Sequence, residues 1–347
     1  MKKKKKDSKY GALMVLIVTA VLLLTIVLTD SPEQVFATIK TANPFWLLLA
    51  VACYLVYWFI DSLALHWLIL RLGSKKYSLA ESIRTTITGT FFSCLTPSST
   101  GGQPMQIMRM QKRGVSVGRS TAILTMRFIF FQCGLSILSI VLLIMRYGYF
   151  QSRVSGFRVL VVIGLVVNIV AAVLLLMASL YPKIAHWAVG AVTRLLVRLR
   201  LVRHREEALK KVDNTIAEFA EWPKLIKGDR KLVVSQLWLT FAQMLAYFTV
   251  AFFVFKAIGA GSADLLLVLT AAACVWLASA FIPLPGGSGS AEGMFVLFFA
   301  TIYRDSSVGV ALLLWRFVTF YLPIIVGGVM LFLENQKKLK IKPLVSK

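Results

Sequence analysis

The 347 residues are 58% hydrophobic, yet the formal net charge is +24. Soluble globular domains average about half apolar residues or fewer, with acids and bases near balance, so this combination excludes an ordinary soluble domain. It fits a chain in which long uncharged apolar runs alternate with basic segments.

The chain opens on lysines at 2–6 and Lys9, followed by an apolar run over 10–29. That run is longer than a signal-peptide core and no A-x-A site closes it, so it reads as an uncleaved first span. About 20 apolar residues cross a hydrocarbon core roughly 30 Å thick. With the lysines in the cytosol, the first span emerges at Asp30, Glu33 and Lys40, and a second over 44–70 returns to Arg71, Lys75 and Lys76. Lys112 and Arg113 precede the next span, 119–145, so 78–110 must enter and leave on the cytosolic side. A span over 159–181 leads back to the most basic loop, where 183–231 holds twelve Lys/Arg against six Asp/Glu. Within it, 203–222 reads as an amphipathic helix, with Leu209, Val212, Ile216 and Phe219 on one face. Lying in the headgroup plane and packing on neighbouring helices both suit it.

The second half runs the other way. A span over 232–255 goes outward, 264–304 begins and ends outside, and 307–333 ends at a basic cytosolic tail. Both termini are therefore expected in the cytosol, with the loops 30–40 and 147–158 outside. Basic clusters abutting apolar spans suit anionic headgroups, not nucleic acid.

The expected fold is an all-α polytopic membrane protein of six full spans plus two re-entrant broken-helix hairpins in an inverted repeat. It forms one membrane domain over 1–347: an N-terminal span 1–43, a first repeat 44–181, a basic amphipathic linker 182–231, a second repeat 232–335 and a basic tail 336–347. Aligning Pro97 with Pro285, at the two hairpin tips, brings Gly101 onto Gly289. Inverted repeats with broken helices are transporter architecture, with the site near the midplane.

Asp61, His66, Arg127, Glu292 and Arg316 are ionisable groups at membrane depth. Such charges are costly unless they face a cavity and pair. Arg316 divides the last span and has no short route to water. Arg127 lies about two turns into its span, so snorkelling to the interface is an alternative. Asp61 and His66 lie nearer the cytosolic end. Helices restarting after Gly101, Gly102 and Gln103, and after Gly286, Gly287 and Gly289, would aim free N–H groups at an anion. Together with Arg127 and Arg316 they make a candidate lipid-headgroup site. The alternative is that Pro and Gly merely break the helices and that Glu292 and Arg316 form a structural pair. Cys53, Cys94, Cys133 and Cys274 have no CxxC spacing and read as small hydrophobes. No metal-ligand spacing and no phosphate loop is present in the sequence, so no cofactor, metal or catalytic residue is expected.

Three stretches carry a resemblance: Thr96 to Gln106 (TPSSTGGQPMQ), Pro283 to Gly293 (PLPGGSGSAEG) and Leu314 to Pro323 (LWRFVTFYLP). In combination they resemble the lysylphosphatidylglycerol synthase transmembrane region, a flippase-like family, over roughly 44–333. The resemblance implies a polytopic domain that binds or moves an anionic lipid, phosphatidylglycerol or its aminoacylated derivative, and a link to resistance against cationic peptides. It also brings Tyr321 into the headgroup-binding set. The chain ends at Lys347, shortly after Leu333, so the soluble domain that transfers lysine from lysyl-tRNA in the full multiple peptide resistance factor is not expected. Phosphatidylglycerol lysyltransferase activity, and a non-transporting scaffold role beside a separate lipid synthase, stay open as alternatives, as does an oligomer.

Overall fold

A computed structural model describes residues 40–72, 76–96, 99–181, 228–259, 264–279, 289–303 and 308–341. The first expected span, the linker helix and the tips at Pro97 and 282–288 lie outside these residues.

The described residues are helical throughout, with no strand among them. In chain order the helices are α1 (Pro44–Leu72), α2 (Leu79–Cys94), α3 (Gly102–Lys112), α4 (Val117–Gln151) and α5 (Phe157–Leu180). Then come α6 (Arg230–Ala257), α7 (Leu265–Ser279), α8 (Ser290–Phe299) and α9 (Val308–Arg316), followed by a π-helical turn (Phe317–Tyr321) and α10 (Leu322–Ile341). Local chemistry sets several starts. Ser78, Ser116 and Asp229 each accept the backbone N–H three residues on, at 3.3, 3.4 and 3.0 Å. Gly156, at φ 70°, turns the chain tightly into α5.

Among the described residues five helices are long and apolar enough to cross a membrane: α1, α4, α5, α6 and the continuous run Val308–Gln336. They match five of the six expected spans. Their outer faces carry exposed apolar side chains, such as Phe45, Leu48, Val166, Leu174 and Phe332. So much exposed apolar surface marks a lipid-facing wall. Polar side chains turn inward: Ser62, Ser139, Gln236 and Thr240 have no exposed surface.

The remaining helices are shorter than the roughly 20 residues a span needs, and they pair. α2 packs on α3, and α7 on α8. Close approach in the first pair needs glycine, since a Cβ on Gly89 would strike Gln106 and one on Gly102 would strike Ser93 and the Gly89 carbonyl.

The two halves repeat each other's neighbours. The first helices of each half, α1 and α6, pack antiparallel: Asn43 N–H donates to the Ala257 carbonyl at 2.8 Å, and Arg71 meets Asp229 at 3.5 Å at the other end. Each short pair lies against the long helix that follows the short pair of the other half, α2 on α10 and α7 on α4, and α7 also touches α5. The second junction includes Thr270 Oγ1 donating to the Leu142 carbonyl at 3.3 Å. α1 and α6 thus run in opposite directions, as the expected inverted repeat requires.

Residues expected on one side meet at one end of the bundle. Arg71 and Asp229, and Arg109 and Glu334, mark one end; Arg146 and Asp264, and Tyr149 and the Thr301 carbonyl, mark the other. That pairing follows the parity read from the lysines and arginines.

Candidate functional site

Mid-span arginines in α4 and α9 stand two to three turns past the helix start and line two different cavities. Among the described residues they do not share a cavity.

Arg316 lines a cavity of about 260 Å³ with Ser99, Tyr247, Trp276, Phe295 and Trp315. Its side chain is 6% exposed. Nε lies 2.8 Å from Oε1 of Glu292, whose side chain is wholly buried. The other carboxylate oxygen of Glu292 accepts the Gly289 N–H at 2.5 Å. Glu292 is thus both the counter-charge for Arg316 and the cap of α8, and it occupies one of the amides that an anion was expected to use. Gly289 takes φ 84°, a left-handed conformation suited to glycine. The Arg316 guanidinium also lies 5.1 and 5.7 Å from the ring centres of Trp315 and Phe320, within cation–π reach. The π-helical turn follows at once, and the Thr319 carbonyl within it accepts the Tyr54 hydroxyl at 3.4 Å. Such turns interrupt the regular ladder and recur at functional sites.

Arg127 lines a second cavity, of about 200 Å³, with Tyr57, Asp61, Gln103, Gln106 and Gln243. Its Nε and Nη2 donate to Asp61 Oδ1 at 3.1 and 2.9 Å, Nη1 donates to Thr240 Oγ1 at 3.0 Å, and Nη2 also reaches Gln243 Oε1. With 8% of its side chain exposed, Arg127 does not snorkel. The polar cluster between α1, α4 and α6 holds it inward, which answers the alternative the sequence left open. Asp61 faces the cavity with 25% of its side chain exposed. His66 is used elsewhere, Nδ1 lying 3.1 Å from Ser82 Oγ.

The other expected residues fall around these cavities. Gly101 donates its N–H to Thr96 Oγ1 at 2.8 Å, just before α3 begins. Gly102 opens α3 and packs against α2, and Gln103 reaches the Arg127 cavity. Tyr321 lines neither cavity; it packs edge-on to Phe320, with centroids 5.3 Å apart. Gly286 and Gly287 lie outside the described residues.

The sequence reading missed three groups of partners. The first is the Thr240–Gln243 side of the Arg127 cage. The second is a layer of aromatic rings between the cavities: Tyr57 lies tilted against Tyr247 with ring centres 5.2 Å apart, and Phe131 against Trp276 at 5.7 Å. The third is an ion-pair cluster where α2 and α3 meet α10. There Arg109 grips both oxygens of Glu334, at 2.9 and 2.7 Å. Glu81 collects Arg84 at 2.7 Å, Arg113 at 2.9 Å and Arg109 at 3.4 Å. Burial pulls the Arg109 pKa down, but the bond to Glu334 and the charges of Glu334 and Glu81 outweigh it and hold the guanidinium above its ordinary value. The one available signal was the charge of Glu334 at the end of the last apolar run.

Among the described residues no group of His, Cys, Asp and Glu could hold a metal ion.

Comparison with known proteins agrees with this architecture. The model of the family described as the lysylphosphatidylglycerol synthase TM region matches residues 12–327. A protein of Archaeoglobus fulgidus, described as a UPF0104 membrane protein, is 27% identical over 327 residues, covering 92% of this chain and 94% of its own. The chain belongs to the lysylphosphatidylglycerol synthase TM region family.

Proposed function

From that membership and the Arg316 cavity, we propose that the protein binds an anionic phospholipid, phosphatidylglycerol or its aminoacylated derivative, and carries its headgroup across the cytoplasmic membrane. The observation that carries this reading is Arg316 itself. A guanidinium 6% exposed, deep in a span, lines a cavity with aromatic rings and Ser99 of the opposite hairpin tip. A planar donor fork in a low-dielectric cavity suits phosphate oxygens, and the ring-lined wall suits the acyl–glycerol end. In this reading α2–α3 and α7–α8 are re-entrant hairpins, 10–29 completes six spans, and both termini are cytosolic. A role in cationic-peptide resistance would follow from the lipid moved.

The test is lipid translocation by the purified chain in liposomes, read by dithionite quenching of a fluorescent phosphatidylglycerol. Arg316→Lys, which keeps charge but loses the fork, is expected to remain folded and to lose at least about tenfold in rate. Equal rates for the native protein, Arg316→Lys and protein-free liposomes would overturn the proposal. Lipid binding without translocation would favour a scaffold beside a separate synthase.

A further inference from the structure

The two arginine cavities are chemically opposite. At Arg316 the carboxylate partner is wholly buried and already divided between Arg316 and the Gly289 amide, so the charged group on the wall is the guanidinium. At Arg127 four of the five guanidinium N–H donors are engaged, by Asp61, Thr240 and Gln243, and its charge is paired with Asp61. The partly exposed charge there is Asp61, whose ion-pair and hydrogen-bond contacts to Arg127 all run through Oδ1. Around it stand Tyr57, Phe128 and Phe131, with the side-chain amides of Gln103 and Gln106.

We propose that the Asp61 cavity is a subsite for a primary ammonium group, that of an amine-bearing phospholipid headgroup. A carboxylate with one oxygen directed to a cavity supplies charge-assisted acceptance, and the ring faces supply cation–π attraction in a partly desolvated space. The amide carbonyls of Gln103 and Gln106 offer further acceptors for an –NH3+ group with three donors. A headgroup phosphate is disfavoured in this cavity, because it would meet the like charge of the Asp61 carboxylate on the same wall. The subsite rests on the proposed lipid transport and narrows it to headgroups that carry an amine. An aminoacyl ester and an ethanolamine share that chemistry.

The experiment titrates dioctanoyl phosphatidylglycerol, phosphatidylethanolamine and lysylphosphatidylglycerol into the purified chain in maltoside detergent, with tryptophan fluorescence as the readout. The native protein is expected to bind at least one amine-bearing lipid about tenfold or more tightly than phosphatidylglycerol. Asp61→Asn should abolish that preference, because the charge that attracts the ammonium is lost while the new side-chain carbonyl can still accept from Arg127. Tyr57→Leu keeps the ion pair and should cost the preference several-fold, which guards against misfolding of Asp61→Asn. Tighter binding of the lysyl lipid points to an aminoacyl ester, and of the ethanolamine lipid to that headgroup; either supports the subsite. Equal native affinity for all three lipids, or a preference unchanged in both variants, overturns it while lipid binding stands. No binding of any lipid overturns the parent reading as well.

Discussion

Removing the Arg316 guanidinium tests whether the buried pair is structural, functional or both. Arg316→Leu leaves the Glu292 carboxylate wholly buried with its ion-pair partner gone and only the Gly289 amide known to solvate it. Breaking a buried pair from one side costs about 3–5 kcal/mol, because the orphaned charge is left behind. At roughly 2 °C per kcal/mol for a chain of this size, the melting temperature in detergent should fall by on the order of 6–10 °C. Glu292→Gln in the same chain removes the orphaned charge while its amide oxygen still accepts from Gly289, so the double variant should recover most of the loss. Arg316→Lys keeps the counter-charge and should stay within about 2 kcal/mol of the native protein. The assay is thermal unfolding in detergent for the four proteins, beside lipid binding. An Arg316→Leu protein with native melting temperature and native lipid binding would remove the residue from both roles.

Three further outcomes follow from the geometry. Gly102→Ala should splay the α2–α3 pair and cost about 1–3 kcal/mol in thermal unfolding, because its Cβ has no room beside Ser93 and the Gly89 carbonyl. Glu334→Gln should weaken the two-pronged grip of Arg109, and hydrogen exchange across Gly102–Lys112 should rise while α1 and α6 stay protected. A cysteine introduced near Lys340, with the four native cysteines replaced, should escape an impermeant reagent applied to intact cells; labelling there would invert the proposed topology.

The spans were legible because lipid imposes a length, and α1, α4, α5 and α6 begin and end within a few residues of the expected spans, except that α4 runs on about two turns past its own. The helix breaks were legible for a different reason. Proline and glycine near Gly101 and Gly289 interrupt apolar segments too short to cross, and α2–α3 and α7–α8 lie where those breaks fall. Partners were not legible. Arg109 finds Glu334 across 225 positions of sequence, and Arg127 finds Thr240 across 113. Nothing local to either arginine announces such a contact. Asp61 misled in the same way: its position near the end of a span suggested an interface, whereas α4 and α6 enclose it beside Arg127.

The two arginines end in unlike cavities because the residues that face them from α1 and α6 differ. A symmetric pair of helices would present each arginine with the same surroundings. Here the position facing Arg127 from α1 is Asp61, whereas α6 brings Tyr247 to the Arg316 cavity, so that counter-charge must come from Glu292 at the start of α8. One cation is therefore neutralised by a rigid long helix and the other by the first turn of a short one. A buried charge held by a short, glycine-started helix is the easier of the two to uncouple, because fewer packed residues must move with it. That difference makes Arg316 the better candidate for an anion that arrives and leaves, and Arg127 the fixed support that turns Asp61 toward its cavity. If the order is wrong, Asp61→Asn will slow phosphatidylglycerol translocation at least as much as Arg316→Lys does, and the liposome assay reads that comparison directly.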